Sequence, residues 1–291
     1  NEVVKVAVET AAKGIQNTPD FNVDSLTDYS KMKDTLVMQV ISTEANADLL
    51  ANIPHKEMED MSVIYRFMIV SAQEEMASIV VTNTRLEMMH VTPEQVHADA
   101  MENSPKLRPA EIMGMSEVLA QMMGPEMVEM MGIVPDDPAD EQMYVASTPD
   151  RVNGAGVLVY QDFMERAAEK LGGSFFILPS SVHELILVRD DGAIGAQELK
   201  KMVCDVNATQ VTPEEKLTDN VYHYDAQEKV FELGEKFVER QAAKAEMVAD
   251  KAEAKDSLLG DLKAKKEEVA KQLKKETLDK AVNKNKGGET L

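Results

Sequence analysis

The segment Phe176-Ile177-Leu178-Pro179-Ser180-Ser181-Val182-His183-Glu184-Leu185-Ile186-Leu187-Val188 decides the fold. Two apolar runs, Ser174 to Leu178 and Val182 to Arg189, are separated only by Pro179-Ser180-Ser181, and so short a link predicts an antiparallel pair of strands. Alternation along the second run puts His183, Leu185 and Leu187 on one face and Val182, Glu184, Ile186 and Val188 on the other. Polar groups in such a place must be satisfied or used. Ser180, Ser181, His183 and Glu184 are therefore the first candidates for chemistry.

Upstream of this pair, Met143 to Ser147 and Gly156 to Tyr160 read as strands, and Phe163, Ala167 and Leu171 mark a helix ended by Gly172-Gly173. Downstream, Ala196 to Val206 reads as a helix with Leu199, Met202, Val203 and Val206 inward and Cys204 on the apolar side. Val221 to Tyr224 and Lys229 to Phe231 then form a hairpin. Nearer the start, Val3 to Gly14 and Asp28 to Ile41 carry helical spacing, the latter through Met32, Leu36, Val37, Val40 and Ile41. A short helix through Ala47, Leu49 and Leu50 leads to Pro54-His55. Met61 to Val70 and Met76 to Thr82 read as a hairpin across Gln73-Glu74-Glu75. Thr92-Pro93-Glu94-Gln95 is a capping box that starts a helix running to about Asn103. Ile112, Met115, Leu119 and Met122 predict a helix whose buried face is largely methionine, and the seven methionines between Ile112 and Gly132 read as core packing ahead of a partner groove. The expected fold class is α+β: an antiparallel or mixed sheet packed with helices, followed by a largely exposed helical tail.

The expected domains are residues 1–233 and a tail of residues 234–291, with a hinge at residues 132–142. The tail holds 14 Lys and Arg against 12 Asp and Glu, whereas the whole chain carries a formal charge of −21. Interspersed charges favour an exposed helix, and the stripe Leu258, Leu262, Val269, Leu273 is too broken for a coiled coil. The strong acidity argues against a nucleic-acid partner, because phosphate binding needs clustered Lys and Arg. No apolar run reaches the ~20 residues of a membrane helix. The single Cys204 rules out an intrachain disulfide and fits a reducing cytoplasm. The start at Asn1, inside an apolar-periodic segment, reads as a fragment whose natural beginning lies upstream.

Catalytic patterns are scarce. His183 and Glu184 on opposite strand faces do not make an acid/base pair, and Leu187 stands where a helical zinc protease needs its second histidine. Ser180 and Ser181 have no Gly-x-Ser-x-Gly elbow around them, and serines after a proline commonly bond the local backbone. Glu184 and Arg66 each lie in an apolar strand, so an ion pair between them would satisfy both. His55, His90 and His97 match no ligand spacing, and no metal or cofactor is expected.

The motif Leu178-Pro179-Ser180-Ser181-x-His183-Glu184 resembles an uncharacterised bacterial family, chiefly of Firmicutes, the domain-of-unknown-function family 5688. The likeness extends through Thr27-Asp28-Tyr29, Asn52-Ile53-Pro54-His55, Asn83-Thr84-Arg85-Leu86-Glu87, Met202-Val203-x-x-Val206-Asn207-x-Thr209-Gln210-Val211 and Asp219-x-Val221-Tyr222-x-Tyr224-Asp225. The order of elements is also distantly similar to uncharacterised family 1444. The resemblance implies sequence ahead of Asn1 and brings no reaction, ligand or catalytic residue.

Three functions follow as expectations. The leading one is a non-enzymatic intracellular binding or regulatory module using the histidine-bearing face or the methionine-rich segment, with a protein partner expected at the methionine-rich segment or the C-terminal helix. The second is an unrecognised hydrolase using His183, Glu184 and His55 with Ser180 or Ser181. The third is a helical assembly component acting through the tail.

Overall fold

The computed structural model describes residues 27–70, 76–132, 140–179, 181–248, 251, 262, 263, 265–267, 269 and 271. The expected opening helix, the turn at 73–75, most of the 132–142 hinge, Ser180 and most of the tail lie outside the described residues. The chain divides into two units, residues 1–235 and 236–291.

Two antiparallel sheets build the first unit. In one, β3 (Met61–Val70) pairs along one side with β1 (Leu36–Ser42) and along the other with β2 (His55–Met58) and then β4 (Met76–Val80). The other has six strands in the order β10-β9-β7-β8-β6-β5. These are β5 (Glu111–Gly114), β6 (Met143–Ser147), β7 (Phe175–Leu178), β8 (Leu185–Arg189), β9 (Tyr222–Asp225) and β10 (Val230–Leu233). The α+β reading holds, and every strand pair is antiparallel.

Leu36 to Ile41 is a strand rather than the expected helix. It is apolar on both faces and nearly all buried, and so short an apolar run satisfies a helical period and a doubly buried strand equally. Its even positions, Leu36, Met38 and Val40, join Met61, Val63, Tyr65 and Phe67 in a core shared with the inner face of the second sheet. Ile41 and Ile64 instead meet Leu50 and Ile53 in a smaller cluster. The Pro93–Leu107 helix, longer than expected and with Pro105 in its last turn, packs Val96 and Ala100 into the main core. Its buried Ser104 Oγ accepts from the amide of Met38 at 2.9 Å, covering the outer edge of β1.

Gly154–Val159 is a 3-10 helix, where Gly156 to Tyr160 had read as a strand. Close approach is the cause. A Cβ on Gly156 would lie 2.8 Å from the carbonyl oxygen of Met38, so this turn can press on β1 only through a glycine. Ile112 likewise belongs to strand β5, and the helix expected to include it begins at Met115 and ends at Met123. The Phe163–Leu171 helix buries Phe163, Ala167 and Leu171 as the spacing requires.

The Ala196–Gln210 helix turns Ala196, Leu199, Val203 and Asn207 inward. Met202 and Val206, expected inside, are 46% and 44% exposed, and Cys204 is exposed as well. Asn207 wins the inward place because its Nδ2 donates to Thr218 O and to Asp219 Oδ1, both at 2.8 Å. Residues 234–248 are helical, and Val238, Met247, Val248, Leu262 and Val269 are exposed. Among the described residues, no helix is long and apolar enough to cross a membrane.

Candidate functional site

The histidine-bearing loop is longer than its serines suggest. Pairing begins at Leu178 with Ile186, so residues 179–184 all belong to the link, and His183 and Glu184 precede strand β8 instead of alternating along it. The loop is held elsewhere. Ser181 bridges to Lys216, Val182 N donates to Glu215 O at 2.9 Å, and Val182 O accepts from Ala155 N at 3.1 Å. Ser181 Oγ accepts from His183 N at 2.9 Å, a local turn bond.

His183 lies in a polar seam between the sheets. Its Nδ1 accepts from Asn153 N at 3.3 Å, and its Nε2 is 3.4 Å from Glu215 Oε1. Asn153, held in the left-handed region at φ 52°, accepts through Oδ1 from Gln39 Nε2 at 3.0 Å. Gln39 Oε1 in turn accepts from Arg66 Nη1 at 3.4 Å. Ser147 Oγ donates to His183 O at 2.7 Å, and Gly154 fits beneath this bond. Arg66 also donates to Ser78, through Nε to the hydroxyl at 2.8 Å and Nη2 to the carbonyl at 3.2 Å. The expected Arg66–Glu184 pair therefore does not form. Glu215 and Asn153 are partners of His183 that no spacing in the sequence announces.

The remaining candidates do not converge on His183. The ring Nδ1 of His55 is 3.0 Å from Ile53 O, and its side chain is exposed on β2. Glu184 is half-buried, and no hydrogen bond or ion pair joins it to His55, Ser181 or His183 among the described residues. His97 pairs instead with Tyr65, whose hydroxyl is 2.9 Å from its Nδ1. Burial pushes that hydroxyl up to about 12 and draws His97 down. His223, buried on β9, has Nε2 2.9 Å from Asp190 Oδ2, and burial lowers its pKa against the opposing pull of Asp190. Among the described residues, no group of three or more His, Cys, Asp or Glu side chains could hold a metal ion.

Clefts open elsewhere on the described residues. One, of about 440 Å³, lies between Ser42, Glu44, Asp60 and the segment Pro213 to Asn220. Asp60 there accepts from Thr218, Asn220 and Tyr222, while Lys216 Nζ is 2.5 Å from Asp219 Oδ2. Another, of about 510 Å³, is lined by Glu111, Ile112, Met113, Glu117, Lys170 and neighbours. Neither contains His55, Ser181, His183 or Glu184.

The sequence profile of the family of unknown function DUF5688 matches residues 1–226. The chain belongs to that family. No curated protein and no solved structure matches it. The DUF5688 match covers all of the loop just described, together with Asp60 and Tyr222.

The matched region also carries an apolar surface. After Gly124, the Pro125–Met130 helix is anchored by fully buried Val128. Met127, Met130 and Met131 share one helical face by their spacing and are 45%, 76% and 56% exposed; Met122 and Met123, just before Gly124, are 72% and 42% exposed. Single exposed apolar residues are ordinary, but five within ten residues form a patch of the kind that marks interaction sites. The preceding helix is fixed by Glu141, whose Oε2 accepts from Ser116 N at 3.3 Å and from Ser116 Oγ. A Cβ at Gly114 would lie 2.8 Å from that carboxylate oxygen. Glu117, Glu126 and Glu129 are exposed on the same two helices. From Pro109 to Asp150 the sequence has nine carboxylates and no Lys, Arg or His.

Proposed function

We propose that this chain is a non-catalytic intracellular binding module that docks a protein partner on the methionine-rich surface of residues 122–131. The exposure of Met122, Met127, Met130 and Met131 on a pair of well-anchored helices is the observation that carries the reading. Unbranched, polarizable methionine side chains adapt to a partner's shape at small cost, which suits a recognition surface. That no described hydrogen bond or ion pair joins His55, His183 and Glu184 to one another weighs against acid/base work at the signature loop. An intracellular setting fits the lone, exposed Cys204.

A variant carrying Met122→Ser, Met127→Ser, Met130→Ser and Met131→Ser tests the reading. The expected result is a folded protein, with unchanged far-ultraviolet circular dichroism, that loses the partners retained by the native chain in lysate of the producing cell. Equal retention of the same partners by both proteins would overturn the assignment.

A further inference from the structure

We infer that the partner presents an amphipathic helix whose apolar stripe is flanked by Lys or Arg. This inference rests on the docking surface proposed above and names the chemistry that fits it. Glu126 and Glu129 are exposed among the methionines of the Pro125–Met130 helix, Glu117 is exposed on the helix before it, and the sequence has no basic residue between Pro109 and Asp150. Lys170 and Arg151 lie beside Glu117 in the neighbouring cleft, but the Pro125–Met130 helix itself offers only Glu126 and Glu129, so an acidic peptide, or the phosphates of nucleic acid or of an anionic membrane, would meet like charge there. A basic partner gains on both counts, since its stripe covers the thioethers while its cations meet Glu126 and Glu129.

The neighbouring backbone selects a helix over a strand. Strand β5 forms the edge of its sheet beside the Met115–Met123 helix, and a peptide strand would need its free backbone groups. Acceptors along that edge are already occupied: Ala110 O accepts from Arg166 Nη2 at 3.0 Å, and Ile112 O from Lys170 Nζ at 2.5 Å. Strand addition would displace both cations. A helix satisfies its own backbone and needs only an apolar face on the partner.

The chain has no tryptophan, so a tryptophan in a peptide reports its own environment. The probe is an 18-residue Leu/Lys amphipathic helix with one Trp in its apolar stripe. It is compared with a Leu/Glu version and with a Leu/Lys peptide of scrambled order. The full chain should blue-shift the Leu/Lys helix and bind it about tenfold or more tightly than either control, a difference of about 1.4 kcal/mol. Met127→Ser with Met130→Ser should weaken that binding by about tenfold. Equal binding of the scrambled or acidic peptide, or unchanged binding by the methionine variant, would overturn the inference. If no peptide binds while the native chain still retains methionine-dependent partners from lysate, the helix assignment falls and the docking surface stands. If neither occurs, both fall.

Discussion

Gly154→Ala tests whether the signature histidine loop is a structural joint. The added Cβ would stand 2.0 Å from Ser147 Oγ, 2.4 Å from His183 O and 2.9 Å from Thr148 N. Two of these neighbours are backbone atoms, and Ser147 is buried at 3% exposure, so no flexible side chain can swing into solvent to make room. Overpacking of this kind costs about 1–3 kcal/mol. Displacing the Ser147 hydroxyl also strands His183 O, which loses its 2.7 Å donor at a further cost of about 1–3 kcal/mol. The expected loss is therefore about 2–6 kcal/mol, read from the midpoint of urea unfolding. Because part of it passes through Ser147, the same substitution in a Ser147→Ala background should cost at least ~1 kcal/mol less. A Gly154→Ala midpoint within ~0.5 kcal/mol of native stability would refute the packing of residues 181–183 onto this turn.

On the alkaline side, the hydroxyls of Tyr65 and Tyr160 are held up to about 12 by burial. The unfolded chain releases these protons first, so stability falls as pH rises from about 10 towards 12, by about 1.4 kcal/mol per unit for each group. Tyr65→Phe should flatten part of that slope in unfolding curves recorded between pH 9 and 11. On the acid side, His223 and His97 have lowered pKa values, so the unfolded state takes up their protons first. Stability should decline as pH drops through about 6.5; an unfolding midpoint that stays flat from pH 7 to 5.5 contradicts the burial of His223. Asp60→Asn replaces a carboxylate that accepts from three side chains and should destabilise by about 2–3 kcal/mol, measured by urea unfolding. Glu141→Ala removes the acceptor at Ser116 and should speed amide exchange in the Met115–Met123 helix by about fivefold, or ~1 kcal/mol. Unchanged exchange there would show that Glu141 does not fix the helix.

The architecture was legible wherever pattern and punctuation agreed. The pairs β3–β4, β7–β8 and β9–β10 and the Phe163–Leu171 helix follow from apolar runs bounded by turn residues. Leu36 to Ile41 misled because burial on both faces erases the alternation that distinguishes a strand. At Gly154 and Gly156 the deciding fact is tertiary, the nearness of Ser147, His183 and Met38. The same holds for His183, whose partners Asn153 and Glu215 lie about thirty residues away on either side and obey no local spacing. Asn207 shows the converse: an apolar stripe predicted Met202 and Val206 inside, and one side-chain amide whose Nδ2 donates twice takes the inward place instead. The methionine cluster was visible as composition, but its exposure was not, since methionine at helical spacing ordinarily fills a core.

The most direct measurement of the docking surface is site-specific photo-crosslinking in the producing cell, with a diazirine side chain placed at Met130 and, separately, at Val206. Both positions are exposed, at 76% and 44%, but only Met130 belongs to the methionine patch. The account predicts a discrete crosslinked partner from Met130 and none from Val206, with the Met130 product lost when Met122 and Met127 are changed to Ser. Identical crosslinking from both positions, or none from Met130, would contradict it.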